Sequence, residues 1–483
     1  MALNVSELLT ALPQETDEIT TPVVTGVPAL LSRASYQPVP VGRIRRLTAL
    51  GTLQAKIAAA YLFHWLRGWF KSSDDNQRLL AETHWRTALR VLDSMTYLRG
   101  AVMKIGQTLA NFPDIAPVAF VDTLERLHFD APPMHWSLLR EMVHNELEDD
   151  PESRFASFDK QAFAAASLGQ VHRARLFSGD EVAVKIQYPG IARSIEADFR
   201  NLFLFLLPAR LSKDWDSTKD QFDDLRRRLE LETDYELEAA NLQKARALFH
   251  AADGIVVPRV FTQFSTGRIL TMERLEGVHI TQFMARNPSQ EERNNIAKKI
   301  VRAWYRLMYS GRMLYVDFHP GNFLICDDGR LGVLDFGFIV PLDDTEWEWF
   351  RKIDRPLTTG LREDRLPILK AWSDIGDDET ERLRLNDEYA EWSWLSRYRG
   401  GEFDFSNEAE FRRGINLFTE MVRRRYSRAR PNTPTIARGQ FAWWSILFQL
   451  KAKVDVRSIA EEEIKATGWD RSEYTPREVQ EVQ

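Results

Sequence analysis

The sequence has almost no cysteine and no long apolar run. Cys326 is its single cysteine, which excludes an internal disulfide and a cysteine-cluster metal site and predicts a small core residue. The longest strongly apolar run, residues 201–209, is interrupted by Pro208 and is too short to span a bilayer. The N-terminus contains acidic residues and lacks the apolar segment of an export signal. We therefore expect a cytoplasmic protein that is soluble or binds a membrane peripherally.

An excess of charge of either sign is also missing. Charged residues make up 28% of the chain, and the formal net charge is −6 at pH 7. This balance is unlike that of disordered chains, and without a basic tail it provides no electrostatic footprint for DNA or RNA. No nucleic-acid partner is therefore expected.

Length and hydrophobic periodicity divide the chain. Its 483 residues exceed the size at which one core usually stops growing. Period-two patterning typical of strands begins near residue 153, and helical patterning dominates before it and again from about residue 281. The predicted class is α+β, with a poorly ordered leader at 1–40, a helical extension at 41–150, a sheet-containing lobe at 151–276 and a mainly helical lobe at 277–483.

A basic amphipathic helix is predicted at residues 41–71. The segment contains Lys and Arg but no Asp or Glu, and its apolar residues recur at three- and four-residue steps. Such a helix can lie on an anionic membrane surface. Packing against the rest of the protein is the commoner role of an amphipathic helix, and the sequence leaves both interpretations open.

The most specific stretch is VDFHPGNFLICDDGRLGVLDFG, residues 316–337. Asp317 and Asn322 lie five residues apart, two apolar runs flank a glycine-containing turn, and Asp335 follows. Protein kinases have the same order of catalytic Asp, Asn, two strands and metal-binding Asp. Either motif alone would be a chance match or a solvated turn, whereas both with a hairpin between them indicate a kinase-like site.

The chemistry of phosphoryl transfer accounts for these residue types. Magnesium neutralises charge on phosphate oxygens and prefers oxygen ligands, so Asn322 and Asp335 are the predicted metal ligands. Asp317 is the predicted catalytic residue, which orients an attacking hydroxyl or water and accepts its proton.

Lys185 is the predicted phosphate-binding cation. It lies in EVAVKIQ, a predicted strand after the turn at 178–180. A strand lysine is ordinarily a surface residue, but this position favours contact with the α- and β-phosphates. Its expected partner is Glu238, because Asp234, Glu238 and Asn241 fall on nearly one helical face at 100° per residue. Asp234 is expected to reach phosphate or metal.

The loop expected to cover the phosphates contains alanine instead of a glycine-rich run. Its residues are Ala164, Ala165, Ala166 and Ser167, between two predicted strands. Their backbone N–H groups can approach a nucleotide phosphate, but alanine restricts φ where glycine does not. We expect this loop to change which nucleotide fits best.

Together these motifs resemble the UbiB/AarF family of atypical kinase-like proteins, over roughly residues 90–455. The most specific match is KxGQ, with Lys104 and Gln107 on one helical face. The E-x-D pair Glu232 and Asp234, the alanine loop, HPGN at 319–322 and DFG at 335–337 complete it. The resemblance implies a bilobal protein-kinase-like fold, with a small antiparallel-sheet N-lobe, a mostly helical C-lobe and an N-terminal helical extension.

The resemblance also implies ligands. These are ATP or ADP with Mg²⁺, a lipid or quinone-like ligand, and peripheral membrane contact. The extension would cover the active site, so that Lys104 and Gln107 face Glu232, Asp234 and the nucleotide. Met272 and Glu273 would form the adenine hinge through their backbone groups.

One residue of the HPGN region departs from the family pattern. Phe318 stands where the family commonly has Pro. We expect this change to loosen the loop while leaving Asp317 and Asn322 in register.

Three functions remain open at this point. The first is an ATPase or a small-molecule or lipid kinase that supports ubiquinone or isoprenoid-lipid metabolism. The second is a nucleotide-gated scaffold without catalysis, which the alanine loop suggests. A conventional protein kinase is least favoured, because Tyr315 and Val316 replace the usual His and Arg and no A-P-E motif follows DFG.

Overall fold

The computed structural model describes residues 134–166, 168–193, 195, 226–227, 230–359, 361–424 and 433–469. The predictions for the leader, for the basic helix at 41–71 and for Lys104, Gln107 and Ser167 therefore lie outside the described residues. The chain divides into two compact units. The first comprises residues 1–148, 159–172 and 185–233, and the second comprises residues 149–158, 173–184 and 234–483.

Strands and helices both occur throughout the described residues, as an α+β chain requires. The strands are β1 (Ser157–Phe158), β2 (Ala164–Ala166), β3 (Gly169–Arg175), β4 (Glu181–Gln187), β5 (Ile255–Val256), β6 (Ile269–Glu273), β7 (Gly277–His279), β8 (Met313–Tyr315), β9 (Phe323–Cys326), β10 (Leu331–Val333), β11 (Ile339–Pro341), β12 (Phe403–Asp404) and β13 (Lys453–Val454). The helices are α1 (Trp136–Leu147), α2 (Pro151–Arg154), α3 (Tyr235–Arg246), α4 (Ile280–Ala285), α5 (Gln290–Tyr309), α6 (Asp344–Thr359), α7 (Arg362–Ser373), α8 (Thr380–Arg399), α9 (Glu408–Arg424), α10 (Thr433–Gln449) and α11 (Val456–Ala466).

The N-terminal sheet contains the predicted hairpin of β3 and β4. Gly179 has a φ of +93° at its tip, which glycine adopts without steric cost. The strand order is β1-β3-β4-β6, and β2 pairs with β3 outside this path. The prediction of a loop at Ala164–Ala166 was wrong, because these residues form β2, with Ala164 opposite Val171. Pairing with β3 satisfies their backbone groups, which an alanine run does not predict from propensity.

A second sheet has the order β5-β10-β9-β7. The predicted hairpin of β9 and β10 is confirmed, with Phe323 opposite Val333 and a φ of +79° at Gly329. Cys326 is buried in it, as predicted for a core residue. Strand β5 comprises Ile255 and Val256 and pairs parallel to β10. That pairing joins segments far apart in sequence, which local patterning does not register.

The C-terminal region is mainly helical, as predicted, with short strand pairs that the periodicity did not indicate. One pair is β8 with β11, and the other is β12 with β13. Helix α5 begins with a capping box of Ser289 and Glu292 and buries one apolar face. It ends at Tyr309, shortly before β8, and so leads the chain into the 315–322 loop. Within the described ranges, no helix combines the length and apolar character needed to cross a membrane.

Candidate nucleotide and metal site

The loop after β8 brings Asp317 and Asn322 together. The Asn322 side-chain amide donates to the Asp317 backbone oxygen at 3.1 Å and to its carboxylate Oδ2 at 3.0 Å. A single 3-10 turn, Pro320–Asn322, closes the loop, and His319 Nδ1 accepts from the Gly321 N–H at 3.1 Å. The five-residue spacing therefore places a carboxylate beside an amide, as expected of a catalytic loop.

The contact with Asp317 also fixes the orientation of the Asn322 amide. Because the amide nitrogen is directed at Asp317, the amide oxygen points away from it. The backbone oxygen of Asn322 accepts from the Leu334 N–H at 2.9 Å. Leu334 immediately precedes Asp335, so one backbone bond joins the two predicted ligand segments.

Asp335 lies half-buried after β10. Its Oδ1 accepts from the Gly337 N–H at 2.9 Å, which holds the carboxylate in a tight local turn. Among the described side chains, no three His, Cys, Asp or Glu residues converge to hold a metal by themselves. The donor set fits magnesium, which is commonly held by one or two protein oxygens together with substrate phosphates. The Asp335 carboxylate and the Asn322 amide oxygen would be the protein's contribution.

Helix α3 presents Glu238 and Asn241 to the segment after Asp335. The Asn241 amide donates to the Phe336 backbone oxygen at 3.0 Å. Glu238 is only 2% exposed, and a Cβ placed on Gly337 would lie 3.6 Å from its Oε2 and 3.3 Å from Asp335 Oδ1. Glu238 and Asn241 therefore share the predicted helical face, which lies against the DFG segment, whereas Asp234 lies before the helix as its N-cap. The Asp234 carboxylate caps α3, accepting from the Leu237 N–H at 2.9 Å.

Tyr315 is a polar residue at the site that the sequence motifs did not indicate. It is 2% exposed, and its hydroxyl has no hydrogen bond of normal geometry although it lies beside the Asn322 amide. Burial, together with the negative charges of Asp317, Asp335 and Glu238, holds the pKa of Tyr315 well above its usual range. The hydroxyl therefore stays protonated. Its position two residues before Asp317 was the available signal.

An aromatic cluster joins the 315–322 loop to the segments around it. Its members are Trp304, Tyr315, Phe318, Phe323 and Phe336. The Phe318 ring lies 4.9 Å from Trp304 and 5.0 Å from Tyr315, and Tyr315 lies 5.5 Å from Phe336. Phe318 is 5% exposed. Phe318 therefore packs into the cluster where the family commonly has a proline ring, and the expected loosening of the loop stays a prediction.

Strand β2, the end of β4 and Glu232 belong to the first unit. Lys185 is 7% exposed on β4. A Cβ on Gly169 would lie 2.2 Å from the Ile186 backbone oxygen, so glycine is needed where the β2–β3 hairpin meets β4. Gln187 donates to the Thr233 backbone oxygen at 2.5 Å and so ties β4 to the residue after Glu232. The phosphate-binding roles of Lys185, Ala164, Ala165 and Ala166 stay predictions.

The predicted hinge residues lie at the end of β6. Met272 is 8% exposed, and the Glu273 N–H donates to the Arg259 backbone oxygen at 2.8 Å. The Glu273 carboxylate accepts from the Arg259 N–H at 3.1 Å and from Arg246 at 3.2 Å. The N–H of Glu273 is thus already bonded within the protein, and the adenine contact of this pair stays a prediction.

Fold and site together define a protein of the kinase-like class. Residues 126–359 match the family model described as the ABC1 atypical kinase-like domain. A solved structure titled as a complex of Rv3197 and erythromycin from Mycobacterium tuberculosis matches with a TM-score of 0.53 and 26% identity. That match covers 81% of this chain and 98% of the other.

Curated relatives agree with this class. The atypical kinase COQ8, mitochondrial, of Saccharomyces cerevisiae is 33% identical over 65% of this chain and 63% of its own length. The probable serine/threonine-protein kinase abkA of Dictyostelium discoideum is 35% identical over 52% of this chain. The chain spans only 46% of that relative. The domain match and these relatives confirm the predicted resemblance of the chain to the UbiB/AarF family of atypical kinase-like proteins.

Proposed function

We propose that this chain is an enzyme that binds ATP or ADP with Mg²⁺ and acts as an ATPase or as a small-molecule or lipid kinase. The observation that carries the proposal is the 3.0 Å contact of Asn322 with Asp317. That contact orients the predicted metal-binding amide and the predicted catalytic carboxylate at once.

Each predicted residue has a role in this proposal. Asn322 and Asp335 hold the magnesium ion, which neutralises charge on the phosphates when bound. Asp317 orients the attacking hydroxyl or water and accepts its proton. The remaining nucleotide contacts are assigned to Lys185, to Ala164, Ala165, Ala166 and Ser167, to Met272 and Glu273, and to Glu238, Glu232, Asp234, Lys104 and Gln107.

Magnesium-dependent phosphate release by the purified full chain tests the enzymatic claim, with and without lipid vesicles. Asp335→Asn is expected to lower turnover by about 100-fold or more, because metal stabilisation of the transition state is worth several kcal/mol. Asp328→Asn is the matched control, since Asp328 is exposed in the turn of the same hairpin. Equal turnover in both variants, or no turnover by the unaltered protein, would reject the claim.

The proposed pathway is ubiquinone or isoprenoid-lipid metabolism, with a lipid or quinone-like ligand reached by peripheral membrane contact from the cytoplasm. Support comes from the family and from the relative named atypical kinase COQ8. Deletion of the gene followed by quinone and isoprenoid-lipid profiling tests this proposal. Restoration of the profile by the unaltered gene but not by Asp335→Asn is expected, and an unchanged profile after deletion contradicts it.

A nucleotide-gated scaffold is the second candidate. The observation that favours it is the paired strand Ala164–Ala166, which replaces a mobile glycine-rich loop. A scaffold requires nucleotide binding but no proton acceptor. Cellular function that survives Asp317→Asn but is lost with Lys185→Ala would favour the scaffold over the enzyme.

A further inference from the structure

Helix α10 touches the 315–322 loop at a glycine. Gly439 lies buried inside α10. A Cβ placed on it would lie 3.0 Å from Val316 Cγ1, 3.1 Å from Val316 Cβ and 3.2 Å from Val316 Cα. A glycine within a helix costs stability relative to alanine, so its presence calls for a packing reason. The reason here is close approach to the residue immediately before Asp317.

The helix has little freedom to move away from this contact. On another side, Trp444 stacks on Trp392 with ring centroids 4.8 Å apart, and both are almost fully buried. The Tyr389 hydroxyl donates to the Ala437 backbone oxygen at 2.7 Å, two residues before Gly439. Because a close-packed interior transmits strain, an added methyl group at Gly439 would displace the loop more readily than the helix.

The same helix supports the loop through a second contact. Trp443 lies 6.0 Å from Trp304, which lies 4.9 Å from Phe318, the residue after Asp317. Helix α10 therefore contacts Val316 directly and supports Phe318 through Trp304, so it packs behind both residues adjacent to Asp317. Val316 stands where protein kinases usually have an arginine, which pairs with a phosphate when phosphorylation orders the site. Val316 is 5% exposed and cannot form that pair.

We propose that Gly439 is a positioning residue for Asp317, and that α10 holds the 315–322 loop permanently in place by packing against Val316. The inference rests on the proposed enzymatic function for its kinetic consequence, but the contact itself can be tested without turnover.

A double-mutant cycle in the full chain tests the inference, with Gly439→Ala, Val316→Ala and the double variant. Gly439→Ala is expected to lower kcat about fivefold with KM changed less than twofold, because displacement of a catalytic group by a fraction of an ångström reduces rate more than binding. In the Val316→Ala background the contact with Val316 Cγ1 is gone while those with Cβ and Cα at 3.1 Å and 3.2 Å remain, so the same change is expected to lower kcat less, by about two- to threefold. Ser445→Ala, on the same helix, is expected to leave kcat unchanged, because the Ser445 hydroxyl donates to the Phe441 backbone oxygen within α10 at 2.9 Å.

Hydrogen exchange of the peptide covering 313–323 provides a readout independent of turnover. Faster exchange in Gly439→Ala and partial restoration in the double variant are expected. An equal loss of kcat in both backgrounds, or an exchange pattern that Gly439→Ala leaves unaltered, would overturn the inference. An unaltered protein without turnover would contradict the proposed enzymatic function. The hydrogen-exchange result would still decide whether α10 positions the 315–322 loop.

Discussion

Loss of one partner of the buried Arg397–Asp354 ion pair is predicted to destabilise the C-terminal helices strongly. The two side chains are 1% and 0% exposed. The Tyr309 hydroxyl donates to the same Asp354 oxygen. Burial, with Asp354 alongside, raises the pKa of Tyr309 well above its usual range, so this hydroxyl remains a donor. The cluster therefore joins α5, α6 and α8.

Asp354→Ala would leave the Arg397 guanidinium buried without its carboxylate. Removing one partner of a buried pair typically costs about 3–5 kcal/mol. The Tyr305 and Trp394 rings lie 5.2 Å and 5.1 Å from the guanidinium carbon and continue to stabilise the cation. We therefore expect a loss near the lower limit, about 3 kcal/mol in the free energy of unfolding.

Urea unfolding followed by circular dichroism measures this loss. The control is the double variant Asp354→Leu with Arg397→Met, which removes both charges and is expected to lie within about 1.5 kcal/mol of the unaltered protein. A loss below about 1 kcal/mol in Asp354→Ala would refute the reasoning, since it would mean that the cation is not stranded. A double variant as unstable as the single one would point to lost shape complementarity in place of lost charge pairing.

Three further predictions concern the site and its surroundings. Tyr315→Phe removes a buried hydroxyl without a regular hydrogen bond, so it should raise the free energy of unfolding by about 1 kcal/mol in urea titrations; a clear loss would contradict this. Gly169→Ala places a methyl group 2.2 Å from the Ile186 oxygen. It should cost about 1–3 kcal/mol and weaken ADP binding in calorimetry, and undiminished affinity would count against a role for the hairpin in nucleotide binding. Burial lowers the pKa of His172, whose ring contacts the Asp159 backbone oxygen and Gln170. Folding favours the neutral imidazole. The contribution of His172 to the free energy of unfolding is therefore fully present above pH 6.5 and declines as the pH falls below that value. His172→Gln should show a shallower loss of stability between pH 7.5 and 5.5, and an identical slope would contradict the assignment.

Features that depend on neighbouring residues were predictable from the sequence. The hairpins around Gly179 and Gly329, the closure of Asp317 on Asn322 and the shared face of Glu238 and Asn241 all follow from turn chemistry, spacing or helical period. Each involves residues only a few positions apart. Residues close together in the chain therefore specified the kinase-like order of the predicted catalytic and metal-binding groups.

Features that depend on distant partners required the tertiary structure. Ala164–Ala166 became a strand because β3 lay beside it, and β5 joined β10 across a large sequence separation. Secondary-structure propensity and hydrophobic periodicity are local properties, so they do not predict pairing between distant segments. The packing of Phe318 also depends on a distant partner, because its ring lies against Trp304 of α5.

The sequence by itself indicated which residues are candidates for binding phosphate and magnesium, since the cations and oxygen ligands that this chemistry needs are recognisable from residue type and spacing. Only the tertiary structure decided what holds those atoms in place. The buried Tyr315 and the approach of Gly439 to Val316 arise from the packing of segments far apart in the chain, and close packing makes such contacts sensitive to a single methyl group.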